Sequence, residues 1–398
     1  MRRIWRQGKE DAQEMREKMD ELIDSLCRQG DYMCLNILVQ RDGETVYSKT
    51  AGYADREREI PAREDTIFHL YSMSKPVTAA AVMKLWEDGL LDLMDPLTRY
   101  LPAFRDQPVR EDGRLVPRQG EITIQDLLNM TSGIPYPDGE ETPEMSRLFE
   151  EAMDKAEGPD AIGTVELANR IAQTPLMFQP GMRWRYGASA DILGAVVEVV
   201  SGMRFGEYLR REFFEPLGMK DTGFFIPPEK KDRLAVIYRM PCGGEPVPYH
   251  DKHLVILDAE SAPAFESGGA GLVSTAKDYA AFMTMLMREG TSGGRRYLHP
   301  ATVRFLRSGR LTPRQQETFD WPRLRGYTYG NLMRVLESPQ EQCVVCQKGE
   351  YGWDGWAGTY MEIHPEEKVC ALIMTAQIDR ENDCARRMLR NGIYRWVL

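Results

Sequence analysis

Apolar residues recur at helical spacing at both ends of the chain and through most of its middle. Met15, Met19, Leu22, Ile23 and Leu26 share one face of a helix expected over 8–28. Two β-prone runs follow, 33–40 and 45–51, with Arg41-Asp42-Gly43 between them. Asp-Gly between such runs is a hairpin signal, so the opening helix should lie on the sheet this hairpin starts. Val77, Ala81 and Leu85, widened by Ala80 and Trp86, make a helical stripe over 73–88, and Gly89 is a natural stop. Pro76 fits a helix only in its first turn, so that helix begins at about Ser72.

The middle of the chain reads as mostly helical. Residues 90–104 are irregular, 105–120 are a charged loop, and 123–130 form a short helix ended by Thr131-Ser132-Gly133. Residues 137–160 are strongly acidic and read as a solvated insertion, with a mobile lid as the alternative. Helices are expected over 165–174, around Ile192, Ala195, Val196 and Val199 up to Ser201-Gly202, and over 205–214. Residues 225–264, rich in proline and glycine, have no clear assignment. Beyond them 267–273 reads as a glycine-rich strand, and Thr275-x-x-Asp278 as the cap of a helix carrying Tyr279, Phe282, Met283 and Leu286. Strands are expected over 327–335, 343–347, 358–364 and 369–376, and a closing helix over 379–397. Both ends are therefore sheet plus helix. The expected assembly is an α+β fold of two parts. One is a discontinuous sheet domain from 1–71 and 265–398; the other is a mostly helical domain with loops, 72–264.

Composition narrows the class. The chain has 398 residues, 42% hydrophobic and 28% charged, as in ordinary globular proteins. No apolar run is long enough to span a membrane, and no apolar stretch follows the basic N-terminus as in a secretory leader, so a cytoplasmic protein is expected. A net charge of −10 without a basic, aromatic-studded stripe argues against nucleic acid as a partner. The seven cysteines are odd in number and sparse, which suits reduced thiols. Cys343-Val-Val-Cys346 lacks the second half of a zinc site, and His250 and His253 have no third ligand in view. No metal and no cofactor are expected.

The candidate chemistry starts at Ser72-Met73-Ser74-Lys75. Residues three apart share a helical face, so the Lys75 amine can reach the Ser72 hydroxyl. The helix N-terminus favours negative charge there, and a desolvated lysine can serve as the base that activates a serine. The tetrapeptide alone is common, and a capping serine followed by a surface lysine is its plain alternative. His69 near Ser72 raises a Ser–His–Asp alternative, but no Gly-x-Ser-x-Gly elbow is present.

Further stretches give the tetrapeptide a context: Leu127–Pro135, Pro180-Gly181 with Tyr186–Gly194, Ser267–Thr275, and Gly352-Trp-Asp-Gly-Trp-Ala-Gly-Thr359. In this order the chain, from about 30 to 378, resembles the serine β-lactamase and penicillin-binding-protein superfamily. Its class C-like branch, which includes family VIII carboxylesterases and some acyltransferases, is the nearest in pattern. The resemblance implies the β-lactamase/DD-peptidase-like fold, a mainly antiparallel sheet flanked by the terminal helices. It also implies roles: Ser72 as acylated nucleophile, Lys75 as its activator, and Tyr186 as base and then proton donor. The backbone N–H groups of Ser72 and Trp356 would form the oxyanion hole, with Trp353 and Gly355 of the third motif against the substrate. Two departures stand out. Ala188 holds the place of the second motif's asparagine, which Ser189 would have to replace. Trp353-Asp354-Gly355 stands where relatives often carry Lys-Thr-Gly, and so looks like the esterase and acyltransferase side. The expectation is a serine hydrolase of short-chain acyl esters acting on a small molecule. Acyl transfer to an alcohol or amine, β-lactamase or DD-peptidase action, and a catalytically silent binding module are the alternatives. Trp353 has one neutral donor, and Asp354 would repel a carboxylate if it pointed inward.

Overall fold

A computed structural model describes residues 2–241, 244–251, 253–254, 262–379 and 383–398, with side chains from residue 13 and, in the closing helix, from 384. Eight antiparallel strands form the main sheet. In spatial order they are Tyr327–Gly330, Met333–Leu336, Tyr351–Gly352, Tyr360–His364, Val369–Met374, Cys34–Arg41, Glu44–Asp55 and Ile60–Pro61. The first hairpin joins the C-terminal strands because Cys34–Arg41 pairs antiparallel with Val369–Met374, Asn36 opposite Met374. Asp42 and Gly43 both have positive φ, the two-residue turn that matches strand twist.

Alternation along the two central strands builds the core on both faces of the sheet. Leu35, Ile37 and Val39, with Val369, Ala371 and Ile373, meet Met19, Ile23 and Leu26 of the helix Arg2–Arg28 and Leu389 of the closing helix Asp383–Gly392. Cys34, Leu38, Cys370 and Leu372 point the other way, into the large cluster that holds the helix Ala276–Met287 and the helical half of the chain. The helix Ser74–Glu87 is buried along nearly all its length in that cluster. Its flanking strand, Ile67–His69, pairs with Val273–Thr275, so the nucleophile segment is fixed at both ends before its helix starts.

Several elements differ from the sequence expectation. Ser72 stands in a 3₁₀ turn, Tyr71–Met73, that runs into the α-helix at Ser74. The run 327–335 is a hairpin, turned by Asn331 and Leu332 at positive φ. Residues 343–347 are not a strand but an irregular bend. The run 267–273 is turn up to Gly271, because its backbone packs where side chains would not fit: a Cβ on Gly269 would lie 2.5 Å from the Tyr136 hydroxyl. Val109–Glu111 and Arg114–Val116 form a small hairpin inside the stretch expected as loop. The acidic segment includes a helix, Pro143–Asp154, with Met145, Phe149 and Ala152 buried. Cys242 and most of 252–261 lie outside the described residues, as do 380–382 at the start expected for the closing helix. The division into a sheet domain and a helical domain is retained as a proposal.

If the terminal helices stabilise the sheet, removing one buried contact should register. Leu389 is fully buried. Leu389→Ala should lower the free energy of urea unfolding by about 2–5 kcal/mol. A change within error of zero would show that the closing helix does not pack there.

Candidate active site

Ser72, Lys75, Tyr186 and Trp353 meet at the bottom of one cleft of about 430 Å³, whose lining includes Ser72, Tyr136, Tyr186, Trp353, Gly355 and Trp356. Lys75 is fully buried. Its Nζ donates to Ser72 Oγ at 3.1 Å, to the Tyr136 hydroxyl at 3.1 Å and to the Gly269 carbonyl at 2.8 Å. Burial pulls the Lys75 pKa down to about 7, and the more distant carboxylates of Asp191 and Asp354 oppose this. The ammonium and the free amine are therefore both accessible near neutrality.

Tyr186 leans over Lys75, whose Nζ is 4.6 Å from its ring centroid. Tyr186 is half-buried and lines the cleft. Burial pushes the phenol upward, and hydrogen bonds with Ser72 and Trp353 restrain it. The Trp353 indole Nε1 donates to the Tyr186 hydroxyl at 3.0 Å, so its single donor is committed within the protein. Asp354 lines the cleft and is paired with arginines, 3.3 Å from Arg323 and 4.0 Å from Arg334. Arg185 contributes no charge to the cleft, since it binds Asp138 and Glu141 at 3.0 and 2.9 Å.

The third motif is locked to the nucleophile turn. Thr359 Oγ1 donates to the Leu70 carbonyl at 3.2 Å, and a Cβ on Gly355 would lie 2.3 Å from that same oxygen, so only glycine fits. Tyr71 between them holds φ 43°, an unusual conformation for a side-chain-bearing residue. The Gly355 amide is bound to Thr359 O, and the Gly358 amide to Gly355 O. The Trp356 amide makes no hydrogen bond among the described residues. The Trp356 side chain stacks on His253 at 4.0 Å and forms an aromatic wall with Tyr71 and Tyr249.

Ala188 and Ser189 behave differently from the expectation. Ser189 hydrogen-bonds Ser132 at 3.0 Å, one layer away from Lys75. The polar contact to Lys75 comes from Tyr136, which also donates to Asp191 at 3.4 Å. Asp191 in turn accepts from Ser267 Oγ at 2.5 Å and from the Gly269 amide at 3.0 Å. Tyr136 and Asp191 escaped the sequence reading although each adjoins or lies within a motif already singled out. Trp321 and Arg323, which line the cleft, had no sequence signal.

Cys343 and Cys346 are free thiols. Among the described residues one buried group, Glu350, Glu362 and His364, has donor atoms close enough for a metal. Arg390 already stands 2.9 Å from Glu350 and 2.6 Å from Glu362, which supplies the compensating charge a metal would bring. No helix among the described residues is long and apolar enough to cross a membrane.

The family described as Beta-lactamase matches residues 13–393. Protein Rv1367c of Mycobacterium tuberculosis is 34% identical over 333 residues, covering 81% of this chain and 80% of that protein. Esterase EstB of Burkholderia gladioli is 35% identical over 283 residues, covering 67% of this chain and 69% of that protein. Among solved structures, EstCE1, a hydrolase with promiscuous acyltransferase activity, has a TM-score of 0.82 and 28% identity, covering 96% of this chain and 99% of that one.

The electrostatic environment makes a direct prediction. With lysine side chains isotopically labelled, NMR should find Lys75 losing its proton near pH 7. Asp191 favours the charged amine, so Asp191→Asn should move that titration to lower pH. A Lys75 that stays protonated to the ordinary lysine range would contradict the burial argument.

Proposed function

The chain belongs to the beta-lactamase family, and we propose that within it the protein is a serine hydrolase of short-chain acyl esters, working through an acyl-enzyme on Ser72. The observation that carries this reading is the set of three contacts around Lys75. The Gly269 carbonyl can only accept, so it fixes one N–H. Tyr136 gives its own proton toward Asp191 and so accepts a second. The third direction faces Ser72 Oγ. In the free amine that position is a lone pair, aimed at the proton that must leave.

The steps follow from this geometry. The Lys75 lone pair takes the Ser72 proton as Oγ bonds to the acyl carbon. The oxyanion that forms is met by the Ser72 and Trp356 amides, aimed where charge develops. Tyr186, kept a neutral phenol by burial, gives its proton to the departing alkoxide and regains one from the Lys75 ammonium. That leaves the acyl-Ser72 ester, a neutral Lys75 and a free alcohol. Water then enters, loses a proton to the same pair, and releases the acid. An acceptor alcohol entering instead of water gives acyl transfer by the same chemistry, the second activity named for EstCE1.

Trp353 and Gly355 would bound the acyl substrate rather than bind its charge. A carboxylate next to the scissile bond, as in penicillins and D-Ala-D-Ala peptides, finds no lysine in the third motif. The one indole donor is already bound to Tyr186. The charge-assisted contact of roughly 1.5–3 kcal/mol that a third-motif lysine would supply is therefore missing for those substrates, and of the cleft's arginines, Arg323 and Arg386, Arg323 is already paired with Asp354. The compartment we propose is the cytoplasm, from the reduced-thiol composition; neither nucleic acid nor membrane enters this chemistry.

Incubation with p-nitrophenyl butyrate should add one butyryl mass to the intact protein, and Ser72→Ala should abolish it. Lys75→Ala and Tyr186→Phe should each lower turnover by ~10²-fold or more. The double variant should be little worse, because the residues act as a unit. Wild-type turnover by Ser72→Ala would sink the assignment. In a separate measurement, kcat/KM for p-nitrophenyl butyrate should exceed that for nitrocefin, and a preference for nitrocefin would reverse the substrate class. As the working base is the neutral amine, kcat/KM should rise with pH through about 7, where Lys75 deprotonates, and be low at pH 5.

A further inference from the structure

A second cavity, of about 420 Å³, opens directly beside the catalytic cleft, and Arg323, Asp354 and Arg386 line both. Its wall carries six arginines, at 323, 325, 334, 386, 387 and 390, against the carboxylates of Glu341 and Asp354. Two more carboxylates, Glu350 and Glu362, lie beneath it and bind Arg390. Among the described residues, six guanidinium groups thus gather around four carboxylates, in a chain whose net charge is −10. Arg325 and Arg387, which line only this groove of the two, are exposed.

An independent observation points to an anion. Arg334 is buried to 1% exposure and lines this groove, yet its Nη1 has no hydrogen-bond partner among the described residues. The carboxylate nearest to it, Asp354 Oδ1, is 4.0 Å away. A buried guanidinium N–H without an acceptor is costly, and an oxygen entering the groove would relieve it. The groove also lies on a defined side of the reaction. Tyr186 packs on Trp321 at 5.3 Å, and Arg323 lies over the Trp321 ring at 5.0 Å. If Tyr186 protonates the leaving group, that group departs past Trp321 and Arg323, toward the arginines.

We propose that the arginine groove binds a phosphate carried by the alcohol half of the substrate, so that the protein acts on acyl esters of phosphorylated alcohols. This rests on the ester-hydrolase reading above and specifies its substrate class. A phosphate dianion brings several oxygens that suit planar guanidinium forks from different directions, and one of them can accept from the unpartnered Arg334 Nη1. A carboxylate offers half that charge. The hydrolytic step is unchanged: the ester C–O bond breaks, the acyl group stays on Ser72, and the phosphorylated alcohol leaves with the Tyr186 proton.

The test compares two esters of ethylene glycol, 2-hydroxyethyl butyrate and its phosphate monoester 2-(phosphonooxy)ethyl butyrate. Wild-type kcat/KM should favour the phosphorylated ester by about tenfold or more, the scale of one charge-assisted hydrogen bond. Arg325→Ala combined with Arg387→Ala should erase that preference and leave the neutral ester's turnover unchanged, which also reports that the variant is folded. A binding readout needs no turnover. Cys343 is exposed and lines the groove, so inorganic pyrophosphate should slow its alkylation in the wild type and not in the double variant. Equal kcat/KM for the two esters, or an equal loss of both in the variant, would overturn the proposal while leaving the hydrolase intact. Failure to hydrolyse either ester would instead remove the hydrolase reading. In that event unprotected Cys343 would remove the anion groove as well, and protected Cys343 would keep it as an anion site.

Discussion

The removal of the Lys75 ammonium from water sets the terms for the whole site. An unpaired charge in that position would be prohibitive, so the surroundings must hydrogen-bond it, balance it or strip its proton. The fold does some of each. Gly269, Tyr136 and Ser72 take its donors. Asp191 balances it without touching it, through Tyr136, and is itself held by Ser267 and the Gly269 amide. Burial still wins, because it pushes Lys75 down and Asp191 up, each toward its neutral form. Lys75, at about 7, therefore sits near the balance between ammonium and free amine. A base must be in that condition to accept a proton and return it within one turnover.

Such a balance depends on loops that cannot drift. The nucleophile turn is anchored to the sheet through Leu70, whose amide bonds to Leu272 and whose carbonyl accepts from Thr359. Sheet register thus becomes site geometry. Pairing of Tyr360 with Ile373 fixes the strand that follows the third motif, and Cys34–Arg41 fixes Val369–Met374 in turn. The two ends of the chain meet in the sheet, and the base and nucleophile come from the helical half that packs against it.

Local signals explain what was legible in the sequence. The Asp42-Gly43 turn, the stripe of Val77, Ala81 and Leu85, the Thr275 cap and the Ser72–Lys75 spacing all act within a few residues, and each was readable. Asn331-Leu332 was not, because a leucine at positive φ has no turn signature and the run looked like one strand. The glycines at 268–271 suggested a strand, but their small size serves close packing against Tyr136, Asp191 and Phe224. Tyr136 was missed for a related reason. Its contact with Lys75 spans 61 positions, and only the folded chain shows that a tyrosine supplies this polar partner. The arginine groove was the least legible feature, since its members come from residues 323 to 390 and vanish within an acidic total.

The position of positive charge separates the two halves of the site. A lysine at 353 would stand against Tyr186 and near Lys75, where a second cation would drive Lys75 further toward its neutral form. Trp353 avoids this: it is buried, neutral and hydrogen-bonded to Tyr186, and it packs edge-on against Tyr329 at 5.0 Å. Cations gather instead in the neighbouring groove, whose Arg323 and Arg386 also reach the cleft. Asp354 stands beside Arg323 and Arg334, and Glu350 and Glu362 anchor Arg390 from the closing helix. His364 belongs to the same layer. Burial alone would hold its pKa down, but the hydrogen bond and charge of Glu362, with Glu350 behind, raise it. Arg390 is thus held in place by buried carboxylates, which fixes its direction. One chain can then hold a poised base and a dense positive surface side by side, the base buried beneath the rings of Tyr136 and Tyr186 and the arginines gathered on the neighbouring groove.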